Sequence, residues 1–218
     1  MISGPAGPIL RRPEVTSQVA PAAMSPLVYF IRHGQTDWNI EGRLQGQADT
    51  DITERGRRQA DRNGRKLAEL IGRAEGFDFV ASPMRRTRET MERVRAAMGL
   101  PPKDYRTDAR LVEVHFGDWQ GHTFVELEAR RPGSTIARSK DKWGFVPPGA
   151  QGESYQMLLE RVRPWFEALE RPTVCVAHGG IIRTVFRMVE DMPPRQAARL
   201  EVPQDKVLRL ADGQLDWL

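Results

Sequence analysis

Three short apolar runs punctuate the chain. Leu27-Val28-Tyr29-Phe30-Ile31, Phe77-Asp78-Phe79-Val80-Ala81 and Thr173-Val174-Cys175-Val176-Ala177 have strand length and little polar alternation. That pattern predicts strands covered on both faces. Between them the period changes to that of helices. Thr53 is a candidate N-cap for a polar, arginine-rich helix reaching about Gly72, with Ala60, Leu67, Ala68 and Ile71 as its inner stripe. A second helix is expected from about Met84 to Met98, closed by Gly99 and Pro101-Pro102. An extended piece over Asp104–Leu111 leads into a stretch rich in Gly and Trp. His122–Arg131 reads as a short helix and residues 132–152 as loop. Glu153 to about Leu169 has a helical period, with Pro164 predicting a kink or a break. Gly179–Glu190 is a further helix. Lys206–Leu210 and Gln214–Leu218, joined at Asp212-Gly213, read as a hairpin. Strands alternating with helices predict an α/β domain, a three-layer α/β/α arrangement around a mainly parallel sheet.

Residues 1–25 follow neither period. Four prolines (5, 8, 13 and 21) with Gly, Ala and Ser predict a disordered tail, and Met24 offers an alternative start just before the first strand. The expected division is therefore a tail over 1–25 and a single domain over 26–218.

Composition narrows the class. At 218 residues, 39% hydrophobic and 28% charged, the chain has an ordinary globular profile. The formal charge is +4, and of 33 basic residues only five are lysines, leaving 28 arginines. The basic excess invites a nucleic-acid reading, but aromatics are 7% and the arginines fall on several helices, so no nucleic-acid partner is expected. A single cysteine, Cys175, excludes an internal disulfide framework, and one Cys with four His argues against a structural zinc site. No apolar run reaches the roughly 18 residues of a membrane span. Arg11-Arg12 lacks a following apolar core, so no export signal is read and a cytoplasmic protein is expected.

The candidate chemistry lies at the strand ends. In parallel sheets ligands bind beyond the carboxyl ends of the strands. The first strand runs out at Arg32-His33-Gly34, the third at His178-Gly179-Gly180, and the second at Ser82-Pro83-Met84-Arg85-Arg86. Two His-Gly pairs and arginines at neighbouring tips suit an anion, because glycine admits a ligand to the backbone and a helix start presents free N–H groups.

These segments resemble the histidine phosphatase superfamily, the phosphoglycerate-mutase-like proteins. Arg32-His33-Gly34-Gln35-Thr36 with Asn39 is similar to its signature. Gly46-Gln47-Ala48-Asp49 with Thr53-Glu54-Arg55-Gly56, Ser82-Pro83-Met84-Arg85-Arg86-Thr87 with Thr90, Leu111-Val112-Glu113 with Phe116-Gly117-Asp118-Trp119-Gln120-Gly121, Gly152-Glu153-Ser154 with Arg161, and His178-Gly179-Gly180 with Arg183 resemble further blocks in the right order. The resemblance implies a phosphoglycerate mutase-like fold with His33 as nucleophile, forming a phosphohistidine. Arg32 and Arg86 would clamp the phosphoryl oxygens with His178, Glu113 would serve as acid and then base, and Asn39 would hold the phosphate-side loop. With Gly179, these are the expected catalytic and phosphate-binding residues. The sequence departs from the pattern at Asp51, Thr87 and Gln120.

Gly42-Arg43-Leu44-Gln45-Gly46 and Phe116–Gly121 resemble the phosphatase branch. The expected function is therefore hydrolysis of a small phosphorylated metabolite, without metal or cofactor. A cofactor-dependent phosphoglycerate mutase, which would need 2,3-bisphosphoglycerate, is the alternative, and a homodimer stays open. Other residues read two ways. His115 faces either pocket or solvent; Trp119 and Trp143 are pocket walls or packing anchors; Arg183 is a brace or a surface ion pair. His122 is a helix-start residue, Arg57, Arg58, Arg62 and Arg65 a solvated face, and Cys175 an inert core residue.

Overall fold

In a computed structural model the structure describes Met1 and residues 26–218; the expectations for the tail lie outside those residues. Strand β1 (Val28–Arg32) leads through α1 (Asp37–Ile40) to α2 (Glu54–Ile71), then β2 (Asp78–Ala81), α3 (Arg85–Ala97) and β3 (Arg106–Thr107). Two 3₁₀ turns and the short helices α4 (Phe124–Arg130) and α5 (Ile136–Lys140) follow. The chain then returns through α6 (Tyr155–Glu167), β4 (Thr173–Ala177), α7 (Gly179–Val189), α8 (Pro194–Ala197), β5 (Val207–Ala211) and β6 (Gln214–Trp217).

The sheet order is β3-β2-β4-β1-β5-β6. β3, β2, β4 and β1 are parallel neighbours, whereas β5 runs antiparallel to β1 and β6 antiparallel to β5. Strand pleating sends alternate side chains to opposite faces. Phe30, Val80, Cys175, Ala177, Leu208 and Leu210 face a core completed by Leu158, Val162 and Trp165 of α6 and Ile181, Ile182 and Val185 of α7. Tyr29, Ile31, Phe79, Ala81, Val174, Val176 and Val207 face Leu67 of α2 and Met91 and Val94 of α3. Both faces are covered, which explains the uninterrupted apolar strands. Cys175 is a free, buried member of this core, and burial pushes its thiol pKa up.

Local signals explain the helices. The Thr53 side chain accepts from the Gly56 N–H at 3.1 Å, and Gly72 closes α2 with φ 58°. Arg58, Arg62 and Arg65 are exposed; Arg58 pairs with Glu54 and Arg62 with Asp205, while half-buried Arg57 pairs with Glu89. The hairpin turns at Asp212 and Gly213, both at positive φ, as a two-residue turn of this hand requires.

Three expectations need correction. Residues 132–152 are not all loop, because Ile136–Lys140 is helical. His122 precedes the cap of α4, which is Thr123 in a reciprocal capping box with Glu126. No break occurs at Pro164: α6 continues to Glu167, since the proline lies exposed in the last turn, where water can satisfy the carbonyl it leaves free. Among the described residues no helix is long and apolar enough to cross a membrane.

Candidate active site

β1 and β4 end side by side, Arg32 opposite Ala177, and the His33 N–H donates to the Ala177 carbonyl at 3.0 Å. Their tips therefore carry His33 and His178 together, with ring centroids 5.3 Å apart. Both histidines are buried. Nδ1 of His33 lies 2.9 Å from its neighbour's carbonyl, that of Gly34. A carbonyl only accepts, so Nδ1 carries the proton and Nε2 keeps its lone pair. Burial first, then the Arg86 and Arg32 cations, hold the His33 pKa well below the usual imidazole value. His178 is lowered likewise, by burial, Arg86, His33 and Arg32.

Arg32, at the end of β1, donates from Nη1 to the Val202 carbonyl at 2.8 Å. Its pKa is lowered to about 10 by burial and the nearby Arg183. Arg86, in the first turn of α3, is fully buried and donates to the carbonyls of Ala48 (2.8 Å) and Gly46 (2.7 Å). These bonds fix both guanidiniums yet leave the Nε of each buried and without a partner. His178 bonds Ser82, at the tip of β2, through Nε2 at 2.8 Å, and its Nδ1 is likewise buried and unpaired. An orphaned buried polar group costs about 1–3 kcal/mol. The two guanidinium N–H groups beside His33 suit an oxyanion, and His178 Nδ1 is a third donor in the tautomer whose Nε2 accepts from the Ser82 hydroxyl.

Glu113 enters from the segment before the first aromatic turn. Its Oε1 accepts from the Val114 N–H at 2.9 Å and its Oε2 from the Gly180 N–H at the start of α7, at 3.0 Å. A Cβ at 180 would lie 2.0 Å from Oε1, so any larger residue there would push the Glu113 carboxylate out of place. Arg161 holds the same segment from α6: it chelates Glu153 (3.0 and 2.8 Å) and donates to the carbonyls of Val112 and Arg110. Asn39 braces the loop after His33. Its Oδ1 accepts from the Thr36 N–H at 3.1 Å and from Gln204 at 2.9 Å.

Of the residues expected from the sequence, Arg32, His33, Asn39, Arg86, Glu113 and Gly179 line one cavity of about 140 Å³, whereas His178, fully buried next to His33, is not on its wall. Phe116, Tyr155, Arg183 and the stretch Arg43, Leu44, Gln45 and Gly46 complete its wall. A larger concavity of about 600 Å³, along Trp119, Leu127, Phe145 and Pro148, holds none of the residues set around His33; chemistry, not size, singles out the site. Trp119 stacks on Phe145 and borders that larger concavity, whereas Trp143 is a packing anchor on Tyr155. His115 caps its own turn, accepting from the Gly117 N–H at 2.9 Å. Arg183 is no surface ion pair; it donates to the Leu200 carbonyl at 3.1 Å.

Gln204 escapes sequence reasoning, whereas Gln120 stands out there only as a departure from the pattern, without a role. Gln204 donates to the His33 carbonyl at 3.0 Å from a stretch without period or motif. Gln120 accepts from the Gln47 N–H at 2.6 Å, and Gln47 in turn donates to the Glu113 carbonyl at 3.0 Å. Among the described residues no group of three or more His, Cys, Asp or Glu could hold a metal ion.

Fold and site together define an α/β enzyme of phosphate chemistry. The profile of the histidine phosphatase superfamily, branch 1, matches residues 28–214. Glucosyl-3-phosphoglycerate phosphatase of Mycobacterium tuberculosis is 36% identical over 177 residues, covering 75% of each chain. Phosphoglycerate mutase-like protein 4 of Arabidopsis thaliana is 31% identical over 193 residues, 85% of this chain and 80% of its own. The complex of mycobacterial glucosyl-3-phosphoglycerate phosphatase with inorganic phosphate superposes with a TM-score of 0.68 at 31% identity, covering 88% of this chain and 94% of that one. The chain belongs to the histidine phosphatase superfamily.

Proposed function

We propose that the protein hydrolyses a small phosphorylated metabolite through a phosphohistidine at His33. The unpaired Nε atoms of Arg32 and Arg86 and Nδ1 of His178, gathered around a neutral His33, carry this reading. In the first step Nε2 of His33 attacks phosphorus and the ester P–O bond breaks. Glu113 gives a proton to the departing alkoxide, a poor leaving group without one. In the second step the Glu113 carboxylate takes a proton from water, the water oxygen bonds to phosphorus, and the P–N bond breaks to release inorganic phosphate. Arg32 and Arg86 supply fixed charge to the phosphoryl oxygens through both steps, with His178 and the Gly179 end of α7, and Asn39 holds the loop.

This sequence of steps uses neither metal nor cofactor, so activity is expected to survive EDTA. A cytoplasmic location is part of the proposal, supported by a single buried thiol that forms no internal disulfide. The test is hydrolysis of p-nitrophenyl phosphate with acid trapping of labelled phosphoenzyme. His33→Ala is expected to lose both turnover and label. Label at the normal level on His33→Ala would refute the assignment. Rapid interconversion of 2- and 3-phosphoglycerate with 2,3-bisphosphoglycerate and negligible hydrolysis would replace it with a mutase.

A further inference from the structure

The turn over residues 45–48 is closed by the Ala48 N–H, which donates to the Gln45 carbonyl at 3.0 Å, and Gly46 passes through it at φ 54°. It belongs to no helix or strand. Even so, three side chains converge on it or leave from it. Arg86 straddles it, bonding the Gly46 carbonyl through Nη2 (2.7 Å) and the Ala48 carbonyl through Nη1 (2.8 Å). The Gln47 side chain, which departs between those two carbonyls, donates to the Glu113 carbonyl at 3.0 Å. The Gln47 N–H donates to Oε1 of Gln120 at 2.6 Å. A backbone N–H only donates, so the atom of Gln120 that faces it is the oxygen.

Two of these contacts share one peptide group. In a planar trans peptide the C=O and the N–H point in opposite directions. The Gly46–Gln47 peptide is therefore gripped at both ends, by Arg86 on its oxygen and by Gln120 on its nitrogen. Gln120 sits hard against it: a Cβ on Gly46 would lie 2.2 Å from the Gln120 Oε1. Backbone bonds bring the two segments together just before this point. The Leu44 N–H donates to the His122 carbonyl at 3.0 Å, and the Gly121 N–H donates to the Leu44 carbonyl at 2.8 Å. Past Leu44 the pairing continues through the Gln120 side chain. We infer that Gln120 is a positioning residue. By fixing one peptide plane it sets the Arg86 guanidinium and, through Gln47, the backbone of Glu113 in a common frame, so that phosphate clamp and proton donor keep register. The inference rests on the phosphatase reading, which assigns those two roles. Without the Gln120 oxygen the Gln47 N–H loses its partner and the peptide is free to rotate. Rotation turns the Gly46 carbonyl away from Arg86 and draws the Gln47 side chain off Glu113.

The test compares kcat/KM for p-nitrophenyl phosphate and phenyl phosphate. The two have nearly the same shape, but phenolate is the more basic leaving group and depends more on a donated proton. In Gln120→Leu, p-nitrophenyl phosphate is expected to lose about tenfold, from the Arg86 side, and phenyl phosphate about tenfold more, from the Glu113 side, each step the size of one lost hydrogen bond. A carboxylate accepts the same bond, so Gln120→Glu is expected to keep the wild-type ratio of the two substrates. Gln47→Met leaves the peptide N–H on Gln120 and removes only the bond to Glu113. It should therefore shift the ratio with little loss on p-nitrophenyl phosphate, and add nothing to the shift when combined with Gln120→Leu. The ratio is taken within one sample, so a variant that folds only in part still reads it, and a merely structural role for Gln120 would leave it unmoved. An unmoved ratio in Gln120→Leu or in Gln47→Met, or a shift in Gln120→Glu as large as in Gln120→Leu, overturns the positioning role and leaves the phosphatase intact. Hydrolysis of neither compound by the wild type overturns the phosphatase reading and the positioning role with it.

Discussion

Glu113 is held by two backbone N–H groups, one beside it in sequence and one at the head of α7, so its position depends on the meeting of two distant segments rather than on an ion pair. In the proposed reaction its proton matters in proportion to how poor the leaving group is. Glu113→Gln keeps the shape and removes the acid. Turnover of an alkyl phosphate is expected to fall about 10²–10⁴-fold, whereas p-nitrophenyl phosphate, whose phenolate leaves unaided, should lose far less in its first step. Equal losses of kcat/KM, which reads only the steps through phosphoenzyme formation, would remove Glu113 from the acid role. His33, His178, Arg32 and Arg86 were legible in the sequence because each lies at a strand tip or one turn beyond it, where a parallel sheet presents its ligands. Gln204 was not. It contributes one amide from irregular chain, and only the folded loop brings it to His33.

At the scale of elements, the loop after β1 crosses the first turn of α2 in near backbone contact. A Cβ on Gly34 would stand 2.4 Å from the Gly56 carbonyl oxygen, and one on Gly56 would stand 2.4 Å from that of Gln35. Backbone cannot swing aside as a side chain can, so Gly34→Ala is expected to destabilise the protein by about 1–3 kcal/mol and to lower kcat/KM by shifting His33. Urea unfolding followed beside the assay reads both; an unchanged midpoint would show that the two segments separate freely. Strands and long helices were readable from the period, because both faces of the sheet are covered, and Thr53 and Gly72 mark the ends of α2. The short helix α5 was not, for five residues hold little more than one turn and Pro132, Gly133 and Ser134 precede them.

For the molecule as a whole, two neutral histidines buried between cations tie stability to pH. In the unfolded chain each titrates near pH 6.5, while in the folded protein both stay neutral well below that. Below pH 6.5 the unfolded state therefore binds more protons, so stability is full above that value and declines as pH falls toward the folded pKa values. The urea midpoint is expected to drop between pH 7 and pH 5, and the drop should shrink in His33→Asn, which has one fewer imidazole to charge. A drop of equal size in the variant would assign the loss to other groups. The same neutrality keeps the proposed nucleophile competent in acid.

The arrangement also divides labour along the chain. Groups around the transferred phosphate come from the tips of β1, β2 and β4 and the starts of α3 and α7, whose positions the whole core enforces. Glu113 and, beyond it, the cavity wall Phe116 come from the crossover between β3 and α6, which contributes no strand to the sheet. A lineage can therefore exchange or lengthen the stretch between Gln120 and α6 and acquire a new diet of phosphate esters while the reaction centre, Glu113 included, stays as it was.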